Sequence, residues 1–257
     1  MHNISEEVKI LAGHSKWKNI QRTKGAADAK RGKVFTKIAR EIIVAVKEGG
    51  NTDPAKNSRL AAAIAKAKSA NMPSDNIKRT IEKAGGAGNA ENYESVTYEG
   101  YGPRGVAIIV EAMTDNRNRI AAEVRLNFDK YGGNLGTTGC VSWSFDRKGV
   151  IVIDNEDGKL DEDAVLNDAL EAGADDIEID EDVFEIYTSP DAFGTVNGAL
   201  ESMGYSFLSS QVEMVPQSQI TLKDPTDIKN MTKILELMED NDDVQDVWHN
   251  AILEKLE

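Results

Sequence analysis

Hydrophobic periodicity changes once along this chain, and that change limits what the chain can fold into. From Ala29 to Gly85 the apolar residues recur at helical spacing, and after Asn92 they alternate as in strands. Counted at about 100° per residue, Phe35, Ile38, Ile42 and Val46 share one arc. Lys33, Lys37, Arg40 and Lys47 share the opposite arc, with Lys30 beside it, so the expected helix has an almost uniformly positive wet face. Gly49-Gly50 stops it, and Asp53-Pro54 is expected to cap and open a second helix reaching about Ala70, with Leu60, Ile64 and Ala67 inward. Ser74 or Asp75 is expected to cap a third helix carrying Ile77 and Ile81 as far as Gly85-Gly86. Three helices on short loops predict a small bundle over residues 12–88, with 85–92 as linker.

Beyond the linker, 96–99 and 106–113 are expected as strands around a glycine-rich turn. A helix with Ile120, Val124, Phe128 and Tyr131 in register follows, and Asp115 is its expected N-cap. Residues 141–145 alternate as a half-buried strand. A strand at 150–153, a helix at 161–171 closed by Gly173, and a hairpin of 177–179 with 183–188 around Glu181 come next. A helix carrying Phe193, Val196, Leu200 and Met203, capped by Ser189-Pro190, and a strand at 211–215 complete a β-α-β-β-α-β order, which is ferredoxin-like. The tail has a strand at 220–222, a helix with Ile228, Met231, Leu235 and Met238, and a strand-like 244–248. It has no core of its own and is expected to complete the sheet begun at Val96. The fold class is therefore α+β: an N-terminal three-helix bundle followed by two α/β (ferredoxin-like) domains, one inserted in the other. The expected boundaries are 12–88 for the bundle, 89–147 with 216–257 for a discontinuous middle domain, and 148–215 for the insertion. At 257 residues the chain is long enough for two or three such domains.

Charge follows the same division. The formal net charge is −14, yet residues 1–88 hold 18 basic and 8 acidic side chains. Residues 89–148 are nearly balanced, and 149–257 hold 5 basic against 28 acidic. Segregation of sign on this scale indicates a basic module made for polyanions joined to acidic modules that are not. Lys24, Lys30, Arg31, Lys33, Lys37 and Arg40 fall in one short segment against only Asp28 and Glu41. No apolar run approaches the roughly 20 residues of a membrane span, and no signal-like segment follows Met1. A single cysteine, Cys140, excludes an internal disulfide and fits a reducing cytoplasm.

Catalytic constellations are missing from the sequence. His2, His14 and His249 lie far apart, which argues against a histidine-based metal site or triad. Cys140 beside an alternating strand reads as packing rather than as a nucleophile. "YGGNLGTTG" at 131–139 lacks the Gly-Lys-Ser/Thr ending of a phosphate loop and reads as a helix cap and turn. Asp175-Asp176, Asp180-Glu181-Asp182 and Asp240 with Asp242-Asp243 could hold metal for nuclease chemistry. Each cluster also sits at an expected helix end or turn, where solvated aspartate is ordinary.

Several long stretches together resemble one family. "AGHSKW" at 12–17, "DAKRGKVFTKIAREI" at 28–42, "YEGYGPRGVAIIVEAMTDNRNR" at 98–119, "GGNLG" at 132–136, "ALEAGADD" at 169–176 and "DDVQDVWHN" at 242–250 are similar to the YebC/PmpR family, related to the mitochondrial translational activator of cytochrome oxidase. The resemblance implies three domains, the third inserted into the second, no enzymatic activity and no cofactor. It also implies regulation of gene expression, either as promoter-binding transcriptional regulators or as ribosome-associated factors that relieve stalling at proline runs. The implied partners are DNA or ribosomal RNA, met through the basic N-terminal domain. Basic proteins could meet the acidic insertion, and no membrane is involved. Within the matching motifs Lys16, Lys18, Lys30, Arg31, Lys33, Lys37 and Arg40 are the expected contacts, and Arg22, Lys24 and Lys47 extend the same basic surface. Asn116, Arg117, Asn118 and Arg119 are a possible additional contact, or simply the start of a helix. Whether Trp17 stacks on a base or packs in the bundle is open, with packing favoured. Family members begin at the equivalent of Ala12, so 1–11 is expected to be a non-native or disordered extension, with Leu11 a misread alternative start.

Overall fold

The computed structural model describes residues 27–86, 92–155, 158–179 and 183–254. Expectations about the segment 1–11, His2, His14, Lys16, Trp17, Lys18, Arg22 and Lys24, and about the turn at Glu181, lie outside the described residues. In chain order the elements are α1 (Ala27–Gly49), α2 (Ser58–Ser69), α3 (Ser74–Gly85), β1 (Glu94–Tyr101), β2 (Ala107–Thr114), α4 (Arg117–Lys130) and β3 (Asn134–Leu135). They continue with β4 (Phe145–Asp154), α5 (Glu162–Ala172), β5 (Asp176–Ile179), β6 (Val183–Thr188), α6 (Phe193–Ser202) and β7 (Phe207–Pro216). The last four are β8 (Ile220–Leu222), α7 (Pro225–Asp240), β9 (Val244–His249) and β10 (Ala251–Leu253). The fold is α+β, and no helix among the described residues is long and apolar enough to cross a membrane. Contacts divide these residues into two compact units, Phe145–Gln217 and the remainder.

In the larger unit Ile38, Ile42 and Val46 of α1 close on Leu60, Ala63 and Ala67 of α2 and on Ile77 and Ala84 of α3. The alanines of α2 let the helix axes approach closely. Ile43, Val44 and Ala45 are buried as well, because α1 also meets β2 of the neighbouring sheet. The connection to α2 differs from the expectation. Asp53 caps only a single 3₁₀ turn, Pro54–Lys56, and α2 starts at Ser58 under Asn57. Buried Asn57 accepts from Leu60 N at 3.0 Å and donates to Ala45 O at 2.8 Å, so one side chain caps α2 and ties it to α1. Helix α3 has Pro73 at the cap position and no side-chain cap bond, so neither Ser74 nor Asp75 has the expected role.

The sheet of this unit runs β3-β1-β2-β9, antiparallel throughout. Helices α4 and α7 cover one face, packing Ile120, Val124, Phe128, Met231, Ile234 and Met238 on Ile108, Val110, Ala112 and Val244. A Cβ on Gly100 would lie 2.6 Å from Asn134 O and 2.8 Å from the Phe128 ring, so only glycine lets β3 and α4 close on β1 there. The tail joins through β9, which pairs with β2. The 220–222 strand instead forms a separate parallel pair with β10.

Phe145–Gln217 has its own core, built from Ile151, Ile153, Val165, Ala169, Phe184, Ile186, Val196 and Leu200. Its order β5-β6-β4-β7, all antiparallel, is that of a ferredoxin-like sheet. Helix α5 starts under Asp161 and ends at Gly173, whose φ of 98° places it in the left-handed region that favours glycine. The expected strand at 141–145 is absent. Residues Ser142–Ser144 form a 3₁₀ turn, and a single strand begins at Phe145. Val141, Ser144 and Phe145 are buried and Trp143, which a strand would place on the same face as Val141 and Phe145, is exposed, so the expected alternation is not realised.

Candidate nucleic-acid interface

Lys33, Lys37 and Arg40 lie along one face of α1, as the periodicity requires, and the structure places that row against the chain's own acidic turn between α7 and β9. Lys33 Nζ pairs with Asp240 Oδ1 at 2.7 Å, and Lys37 Nζ donates to Glu239 O at 3.1 Å. Arg40 donates to Asp242 O and, at 2.7 Å, to Asp243 Oδ1. The end of α7 supplies uncapped carbonyls and the negative pole of the helix dipole, which is why cations settle there. In this conformation the row's cations already hold oxygens of the chain's own turn. Lys47 donates to Asn92 at 3.3 Å. Lys30 and Arg31 belong to α1, and the positions of their side chains are outside the described residues.

Asp243 is the centre of the arrangement. Its second oxygen accepts from Arg119 Nη2 at 2.6 Å and from Thr114 Oγ1 at 2.8 Å, and its backbone carbonyl accepts from Met113 N at 2.7 Å. Burial alone would raise the carboxyl's pKa, but hydrogen bonds from Arg119 and Thr114 and the charges of both arginines hold it below the ordinary value. The Tyr93 ring lies 5.0 Å from the Arg40 guanidinium carbon and adds a cation–π contact. One carboxylate thus joins the bundle, the start of α4 and the start of β9. Three stretches that carry the family resemblance meet on it. The sequence offers Asp243 as a metal carboxylate, yet both its oxygens are taken by cations and a hydroxyl.

A second contact lies farther along. Lys66 of α2 pairs with Glu41 at 3.0 Å and Asp246 at 3.8 Å, and its pKa stays raised although burial works against it. Arg59 pairs with Glu48 and donates to Ser95 at 3.2 Å.

The four residues 116–119 divide between roles. Asn116, not Asp115, caps α4 by accepting from Arg119 N at 3.1 Å. Asp115 instead pairs with Arg119 at 2.8 Å. Arg117 reaches Glu94 at 3.3 Å, and Asn118 is exposed.

The glycine-rich loop has a function that sequence reasoning missed. The buried Glu99 carboxylate accepts backbone N–H bonds from Gly139 at 2.8 Å and from Val141 and Ser142 at 2.9 Å each. Burial opposes the charge, and these bonds outweigh it, so Glu99 is held below the usual carboxylate range. The loop is an anion nest filled by the protein's own carboxylate. Burial and the adjacent Glu99 push the Cys140 thiol up, which keeps it neutral and poorly nucleophilic. An acidic residue on an outward strand position opposite a Gly-Thr-Thr-Gly loop is the signal that could have suggested the nest.

The N-terminal part matches the family model described as the TACO1/YebC protein N-terminal domain over residues 15–87, and the rest matches TACO1/YebC second and third domain over 93–251. The chain belongs to the YebC family. Two relatives, from Geobacillus kaustophilus and Acetivibrio thermocellus, are each 56% identical over 93% of this YebC-family chain. The matches span 97% and 98% of those proteins, and both are named "probable transcriptional regulatory protein". A crystal structure of a conserved hypothetical protein from Aquifex aeolicus superposes with a TM-score of 0.83 at 43% identity, covering 94% of this chain and 98% of that one.

Proposed function

We propose that this YebC-family protein is a non-enzymatic regulator of gene expression that binds DNA through its basic N-terminal bundle, as a transcriptional regulator. The supporting observation is the segregation of charge, 18 basic against 8 acidic residues through Gly88 and 5 against 28 from Gly149. Such a bundle is drawn to phosphates while the acidic unit is repelled by them. Exposed Lys68, Lys78 and Arg79 on α2 and α3 can contribute directly. Lys33 and Lys37 contribute by exchanging partners, leaving the exposed oxygens of the α7–β9 turn for those of a phosphate run, while Arg40 stays on buried Asp243. Lysine contacts of this kind position the protein on a backbone without reading bases. In the Lys33→Ala, Lys37→Ala double variant the slope of log affinity against log salt should flatten by about 0.9 for each duplex phosphate that no longer meets a lysine. An unchanged slope would remove the row from the interface. Equal retention of promoter fragments and random duplex by the unaltered protein would remove the transcriptional role.

The acidic balance of the Phe145–Gln217 unit, 3 basic against 19 acidic residues, supports a second reading, a ribosome-associated translation factor. A unit so negative needs basic protein beside it, and ribosomal proteins supply that. Co-sedimentation with ribosomes, and pausing at proline runs that changes when the protein is absent, are its expected signs.

A further inference from the structure

The edge of β1 opens on a polar cleft of about 300 Å³ that neither proposed reading uses. Strand β3 pairs only with Gly100 and Tyr101, and Gly136 N donates to Glu99 O at 2.8 Å. β2 pairs with the other edge of β1 throughout, but among the described residues no strand pairs with the β3-side edge ahead of that point, and the cleft lies there. Val96 and Tyr98 contribute apolar surface, while Thr97, Arg117, Asn118 and Thr138 bring polar groups from three separate segments. We infer that this cleft takes one unpaired nucleotide of a single-stranded segment, an inference that rests on the nucleic-acid reading above.

The size admits one base with its sugar and excludes a duplex or a helix. The exposed amide of Asn118 offers a donor and an acceptor side by side, the pattern that matches a base edge. Arg117 supplies the cation for the adjoining phosphate. Its present partner, Glu94, is 3.3 Å away in a solvent-exposed pair, which a phosphate can replace at little cost. Glu99 also lines the cleft and would ordinarily repel an anion. Its charge is already offset by three backbone N–H groups of the 139–142 loop. Base edges in a duplex are paired and stacked, so only a splayed-out nucleotide reaches such a pocket. The competing occupant is an extended peptide that adds a strand to the free β1 edge.

The test uses the full chain with fluorescein-labelled RNA and DNA of roughly 12 nucleotides, each single-stranded and as a duplex. In anisotropy titrations Asn118→Ala should weaken single-strand binding about ten-fold and leave duplex affinity unchanged. Thr138→Val should act in the same direction and less. Photocrosslinks from 4-thiouridine should fall on the peptides that contain Tyr98 or Asn118. Unaltered single-strand affinity in Asn118→Ala, or crosslinks confined to the bundle, overturns the cleft and leaves the bundle reading intact. No binding of any of these oligonucleotides by the unaltered protein overturns both. An extended peptide that protects β1 amides from hydrogen exchange, where the oligonucleotides do not, assigns the edge to strand addition and overturns the nucleotide.

Discussion

Asp243 ties the bundle to the end of β2 and the start of α4 through Arg40, Thr114 and Arg119. It is 6% exposed and the Arg40 side chain 14%, so removing one partner strands a buried charge. Asp243→Ala should cost about 3–5 kcal/mol, read as a lower denaturant midpoint with an unchanged slope. Lys33→Ala removes an exposed pair and should cost about 0–1 kcal/mol in the same measurement. Acid separates the contributions. Asp243 and Glu99 have depressed folded pKa values, so their stabilisation is present above the ordinary carboxylate range and is lost as pH falls through the folded values. Buried His249 is pushed down to about 4, so it withdraws stability earlier, as pH falls from its unfolded value toward 4. The melting temperature should therefore decline in two stages on acidification, and Asp243→Asn should reduce the later one only.

Among the elements, the turn at Ser142–Ser144 presents Trp143 at 72% exposure, with its indole N–H donating to Cys140 O at 3.0 Å. Trp143→Ala should change stability by no more than about 0.5 kcal/mol, whereas Glu99→Gln should release the loop and speed hydrogen exchange at Gly139, Val141 and Ser142. Long periodic helices such as α1 and α7 are legible from spacing alone, as is the β-α-β-β-α-β order between Phe145 and Gln217. Over five residues, however, the apolar spacing of Val141, Trp143 and Phe145 reads as a strand face, whereas the 3₁₀ turn Ser142–Ser144 rotates Trp143 outward beside the three N–H groups that Glu99 holds. Caps shift by one to four residues from their expected positions because Asn57 and Asn116 compete with neighbouring aspartates that have equal local propensity. The row on α1 is legible as a helix face. Its partner is not, since nothing in local sequence connects Arg40 to a turn 203 residues away.

At the scale of the molecule, the ferredoxin-like unit has a complete core separate from that of the larger one. Calorimetry should resolve two transitions, and Asp243→Ala should move only one of them. A single coincident transition that shifts as a whole would contradict this independence. The distance along the chain between Arg40 and Asp243 also has a consequence in time. At about 5–20 residues per second, a ribosome makes the helix on the order of 10–40 s before the carboxylate that neutralises it. For that interval each nascent molecule carries a cationic helix beside the ribosome that is making it, with the carboxylate that will cover it not yet made.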